Sequence, residues 1–213
     1  EELISDSYTI NNFEMSEESV KREILYSTMD GNGWLTIGLK PNFKYVRLIQ
    51  NSSKSIMMSD TPMERNSNKS FITNANGDVL IFGLGLGLII FPLLNQDDIK
   101  SITVIESNKD IIEMVSPFIK ERDESGKFKV IHGDCFKYHE KIPKGVKYDC
   151  IYGDIWLEIS SDNYSEMKEL TRKYKYKLNR HNPNSFIDHW LKQKCKMMFE
   201  EEKRESNSFF PYI

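Results

Sequence analysis

The chain has 213 residues, 29 lysines and arginines against 32 aspartates and glutamates, and a formal charge of −3. That length suits one α/β core with an appendage, and the acidic balance argues against a sequence-independent grip on nucleic acid. The longest apolar run, Val79 to Leu94, is interrupted by three glycines and by Pro92, so no membrane span is expected. The three cysteines are odd in number and widely spaced, and the four histidines lack metal-ligand spacing. A reducing, cytoplasmic setting without disulfides or a metal centre is therefore expected, with Cys135 and Cys150 as small buried fillers.

The first thirty residues are polar with a scattered helical pattern. Short β-like runs follow at Trp34–Leu39, Tyr45–Ile49 and Ser55–Met58, separated by turn residues, and predict a small antiparallel sheet. Thr61-Pro62-Met63-Glu64 reads as a capping box with proline at the first helical position, predicting a helix to about Asn74.

The apolar strand Val79–Phe82 then runs into Gly83-Leu84-Gly85-Leu86-Gly87. Glycine lets the chain turn sharply and lets a ligand approach its backbone, and a following helix would aim free N–H groups at the same crevice. A second strand, Ser101–Ile105, delivers Glu106, 19 residues after Gly87, where a carboxylate can accept hydrogen bonds from both hydroxyls of a ribose. The glycine spacing is G-x-G-x-G, with leucine at position 88 where a dinucleotide fingerprint would place its third glycine. A tight turn in any α/β protein would also account for the glycines alone.

Downstream, Lys109–Lys120 shows a core-facing helical stripe. Phe128–Ile131 is a third strand leading to Gly133-Asp134-Cys135, and Tyr148–Tyr152 a fourth leading to Gly153-Asp154. Three successive strand ends thus present acids at 106, 134 and 154, and ligands of open α/β sheets bind beyond the carboxyl ends of strands. A turn or helix cap is the alternative use for Asp134 and Asp154. Beyond Trp156 strand signals cease, leaving helices expected at Asn163–Lys177 and Ser185–Glu202. The Lys173–Lys177 run interleaves basic and aromatic residues, and reads as a solvated helix face rather than a nucleic-acid surface.

These segments, in order and spacing over a little over a third of the chain, resemble class I S-adenosylmethionine-dependent methyltransferases, and more closely their spermidine synthase (aminopropyltransferase) branch. The resemblance implies a Rossmann-like parallel sheet, with a small antiparallel β region over 1–60, the cofactor-binding core over 61–156 and a helical C-terminal region over 157–213. The later strands of such folds are absent from the pattern, so the sheet is expected to stop after the fourth. It further implies that Gly83, Gly85 and Gly87 line the methionine and ribose portion of the cofactor, that Glu106 with Ser107 holds the ribose, and that Asp134 with the Cys135 N–H meets the adenine. Asp154 would lie beside the reacting end of the cofactor, as a cofactor or substrate contact in a methyltransferase or as the acid that helps deprotonate the attacking amine in an aminopropyltransferase, with Tyr152 or Trp156 on the acceptor side. The implied cofactor is S-adenosylmethionine, or its decarboxylated form, and the implied activity is methyl transfer to a small acceptor. Aminopropyl transfer is the alternative, and a non-catalytic cofactor-binding module the other. The second acid that aminopropyltransferases carry shortly after the first is missing, since Ile155-Trp156-Leu157 follow Asp154. Glu158 is the expected partial substitute. A small-molecule acceptor is the expected partner, with homo-oligomerisation left open.

Overall fold

The computed structural model describes residues 2–208. It contains two sheets. Strands β1 (Leu3–Ile4), β2 (Tyr8–Glu14), β3 (Lys44–Gln50) and β4 (Ile56–Ser59) form an antiparallel sheet in that order. Strands β5 (Gly77–Phe82), β6 (Ile99–Glu106), β7 (Phe128–His132), β8 (Cys150–Gly153) and β9 (Phe186–His189) form a parallel sheet ordered β7-β6-β5-β8-β9. The helices are α1 (Glu17–Met29), α2 (Pro62–Asn74), α3 (Ile90–Leu94), α4 (Lys109–Arg122), α5 (Cys135–Tyr138), α6 (Ser161–Tyr174) and α7 (Lys192–Ser208). This is an α/β fold of Rossmann-like type, with the small antiparallel sheet at the N-terminal end and helices at the C-terminal end.

Burial explains the central strands. Val79, Leu80, Ile81 and Phe82 are fully buried on both faces of the sheet, as expected where helices cover a parallel sheet. One continuous apolar cluster joins Tyr8, Ile10 and Leu48 of the antiparallel sheet to Val79, Ile81, Ile102 and Val104 of the parallel sheet. The two sheets therefore share a core.

The structure departs from the sequence reading in five places. The sheet does not stop after four strands: β9 pairs in parallel with β8, Cys150 to Phe186 through Gly153 to His189, within the segment expected to be helical from Ser185. The run Trp34–Leu39 is not a strand but a 3-10 turn at Gly33–Thr36, because the Asn66 amide of α2 donates to the carbonyls of Trp34, Leu35 and Ile37, which a neighbouring strand would otherwise have engaged. The opening residues contain β1 and β2 as well as α1. The helix after the glycines is only five residues long and starts at Ile90, so the turn itself, rather than a long helix dipole, faces the crevice. Finally, Tyr174 in the basic-aromatic run is fully buried, its hydroxyl donating to the Cys135 carbonyl at 2.6 Å, while Lys173 donates to the Phe136 carbonyl.

Candidate functional site

A cavity of about 340 Å³ opens at the carboxyl edge of the parallel sheet. Its walls come from both sheets: Tyr8, Leu48, Met57 and Met58 on one side, and Gly83, Gly85, Glu106, Ser107, Asp134, Cys135 and Asp154 on the other. Trp156 and Trp190 complete the rim. Its size falls within the roughly 300–1,000 Å³ range of small-molecule sites.

The glycine turn is shaped by close approach. Gly83 adopts φ +94°, and a Cβ there would strike the Asp154 carbonyl oxygen. Gly85 adopts φ +50°, and a Cβ there would lie 2.5 Å from the Met58 Sδ. Gly87 turns away from the cavity, against Ile119 and Phe91, so of the three glycines it alone has a packing role and is not part of the lining.

Glu106 is the last residue of β6 and only 6% exposed. One carboxylate oxygen accepts from the Leu84 N–H at 2.8 Å and the other from the Asn108 N–H at 2.7 Å and the Ser107 hydroxyl at 3.4 Å. These bonds lock the glycine turn to the end of β6. An ionised carboxylate has about four acceptor positions; three are engaged here, so one remains for a ribose hydroxyl, and the long Ser107 bond is the one a second hydroxyl would displace. Ser107 is exposed, and Asn108 caps α4 by accepting from the Ile111 N–H while donating to the Tyr8 hydroxyl.

Asp134 combines the two uses open to it. It caps α5, accepting from the Phe136 N–H at 2.8 Å, lies 3.5 Å from the Lys137 ammonium, and is still 44% exposed at the cavity wall. The Cys135 thiol is buried, and burial followed by the Asp134 charge pushes it up to about 12, which makes it a poor nucleophile.

Asp154 follows the end of β8 directly, where the Gly83 approach fixes its backbone. Burial, then the nearby Glu64 charge, raises its carboxyl to about 7, against a lowering contribution from the Asn68 amide that donates to it at 3.3 Å. Sequence reasoning missed Glu64. As part of a capping box it was expected to face the helix end, but the Thr61 side chain makes no capping bond and pairs with Ser59, while Glu64 turns into the cavity. Burial raises Glu64 to about 7 as well, opposed by a backbone hydrogen bond from Ser59. The available signal was spacing: Glu64, Asn68 and Phe71 share one face of α2, and the latter two are buried against β8. Phe71 stacks on Tyr152 at 4.0 Å, and the Tyr152 hydroxyl donates to the Asn68 side-chain oxygen at 2.8 Å, orienting the amide so that its nitrogen donates to the Asp154 carboxylate and to the Glu64 backbone carbonyl. Glu158, the substitute expected from sequence, is exposed and outside the lining.

The cavity thus carries four carboxylates, Glu64, Glu106, Asp134 and Asp154, and among the described residues its lining includes no lysine, arginine or histidine. Among those residues no cluster of ligating side chains could hold a metal ion. No described helix is long and apolar enough to cross a membrane.

In sequence, residues 42–180 match the family model described as the spermine/spermidine synthase domain. No curated protein matches significantly. Among solved structures, spermidine synthase from Thermotoga maritima is similar at 15% identity and a TM-score of 0.47, over 84% of this chain and 52% of that one. The CcbJ methyltransferase from Streptomyces caelestis aligns at 14% identity and a TM-score of 0.43, over 57% of this chain and 46% of that one. Aeropyrum pernix fibrillarin, in complex with natively bound S-adenosyl-L-methionine, aligns at 15% and 0.40, over 54% and 45%. The chain spans about half the length of the spermidine synthase that it matches.

Proposed function

The chain belongs to the spermine/spermidine synthase domain family, and on that premise we propose that it transfers an alkyl group from a sulfonium nucleoside to an amine acceptor. The reading is carried by the charged residues of the lining, all of them acids, with Glu64 and Asp154 both raised to about 7. The residues fit the nucleoside: Glu106 keeps acceptor capacity for a ribose, and Ile105, Cys135 and Phe136 offer an apolar wall beside Asp134 for a base. When bound, the sulfonium nucleoside supplies an electrophilic carbon next to a good leaving group.

The protein's own part is to bind, align and deprotonate. An amine acceptor arrives as an ammonium, which two carboxylates attract and position. With both carboxyls raised to about 7, the Glu64 and Asp154 pair titrates near neutral pH, so an ionised member can take the ammonium proton and leave a nitrogen lone pair facing the carbon. General-base help of this kind contributes roughly 10²–10⁴-fold, beyond what alignment supplies. Glu64, arriving from α2, provides the second acid that does not follow Asp154 in sequence.

Aminopropyl transfer from decarboxylated S-adenosylmethionine is favoured over methyl transfer, because a donor without a carboxylate suits a lining with four acids and no cation. The test is mass spectrometry of products after incubation with a 1,4-diamine and either donor. Methylthioadenosine and an aminopropylated diamine are expected from the decarboxylated donor. Asp154→Asn should slow their formation by about 100-fold or more. A methylated amine from the carboxylated donor instead would reassign the chemistry, and absence of binding to either donor would sink the proposal.

A further inference from the structure

Resting on that reading, we propose that Met58 sets donor specificity by closing the part of the cavity where the carboxylate of a sulfonium amino acid would lie. If Glu106 holds the ribose and Asp154 lies at the reacting end, the donor's tail runs along the glycine turn between them, past Gly85. There the Met58 sulfur sits 2.5 Å from where a Gly85 Cβ would be, and the Leu86 N–H donates to it at 3.3 Å. Three other turn amides are engaged: Leu84 N–H on Glu106, Gly83 N–H on the Ile105 carbonyl and Gly87 N–H on the Leu84 carbonyl.

A carboxylate needs donors or a cation to leave water. The Leu86 amide is the turn donor whose partner is a weak acceptor, a thioether, and Met58 stands over it. The residue is held in place from behind: β4 pairs Met58 with Leu48 of β3, and its side chain packs against the shared core. A tail ending in an aminopropyl group needs no amide donor and gains from the acidic lining. Met58 therefore favours the decarboxylated donor over the carboxylated one without touching the reacting carbon.

The experiment is titration calorimetry of the wild type, Met58→Ala and Met58→Leu with three nucleosides: S-adenosylmethionine, its decarboxylated form and methylthioadenosine, which lacks the amino-acid tail. Met58→Ala should narrow the preference for the decarboxylated donor by about tenfold, the effect of one hydrogen bond to a charged group, while leaving methylthioadenosine affinity unchanged. Met58→Leu keeps the packing but frees the Leu86 N–H, so it should shift the ratio in the same direction by a smaller factor, and it stands if the alanine variant fails to fold. An unchanged ratio in the folded variants, or equal loss for all three nucleosides, overturns the role of Met58 and leaves the site reading intact. Failure of the wild type to bind any of the three overturns the site reading itself.

Discussion

Two aspartates five residues apart show how environment divides the same side chain between structure and chemistry. Asp149 is 4% exposed, and although burial alone would raise its carboxyl, bonds from the Asp78 N–H and from the amides of Asn182 and Asn179 hold it below the usual value. Asp154 has one long amide bond and a neighbouring acid, and is raised from 3.8 to about 7. The signs of their pH dependence are opposite. Asp149 stabilises the fold above the ordinary aspartate range, and that contribution is lost as pH falls through its depressed value. Asp154 in the folded state keeps a proton that the unfolded chain has released, so its contribution falls as pH rises from about 4 to about 7, by roughly 1.4 kcal/mol for each step of one in pH. Thermal melts should therefore show Asp154→Asn more stable than wild type at pH 8 and indistinguishable from it near pH 4, while transfer activity of the wild type climbs through pH 7 as the pair ionises. Equal melting differences at both pH values would mean that Asp154 is not raised. Glu106 combines both roles, since its carboxylate holds the Leu84 and Asn108 N–H groups. Glu106→Ala should abolish nucleoside binding in calorimetry and cost about 2–4 kcal/mol in urea unfolding, from orphaned amides. Glu106→Gln, keeping one acceptor, should recover most of the stability and little of the binding.

At the scale of elements, local pattern was legible where local pattern decides. Strands β5 to β8 and helices α2, α4 and α6 were readable from apolar runs and helical spacing, and with them the acids at 106, 134 and 154 at successive strand ends, all of which line the cavity. What escaped was set by partners distant in sequence. Phe186 and Ile187 continue with Trp190 and Leu191 at a helix-like spacing, and only pairing with β8 makes the first two a strand. Trp34–Leu39 has β-like composition, but its carbonyls are taken by Asn66. Glu64 sat in a plausible cap until α2 docked on β8 and turned it inward. The positioning of β9 makes a prediction at this scale. Asp149 precedes β8 and ties the Asn179–Asn182 loop, which leads into β9, to the Asp78 N–H at the amino end of β5. Asp149→Ala leaves three donors without their acceptor, so it should destabilise the protein by about 3 kcal/mol or more in urea unfolding. Hydrogen exchange should show the loss first in β9, which pairs with β8 and places Trp190 at the cavity rim. A loss under about 1 kcal/mol would place the anchoring of β9 elsewhere.

For the molecule as a whole, the consequential fact is that the cavity lies between two sheets that share one apolar core. The antiparallel sheet contributes Tyr8, Leu48, Met57 and Met58 to the lining, and its N-terminal strands are tied to the start of α4, just beyond β6, by the Asn108 bond to the Tyr8 hydroxyl and by the Ser5 hydroxyl donating to Asp110 at 3.0 Å. If the N-terminal sheet is a wall of the site, it must melt with the core and not before it, and a ligand in the cavity must stabilise both together. A nucleoside that binds only the folded state adds about 2.7 kcal/mol at one hundred times its dissociation constant. For a chain of this size that corresponds to a rise of roughly 5–10 °C in the melting temperature. Calorimetric scans should accordingly show a single transition, moved upward by saturating methylthioadenosine and unmoved by it in Glu106→Ala. Two transitions, with the nucleoside shifting only the later one, would show that the antiparallel sheet is an appendage, and that Met58 has no fixed support from which to shape the tail site.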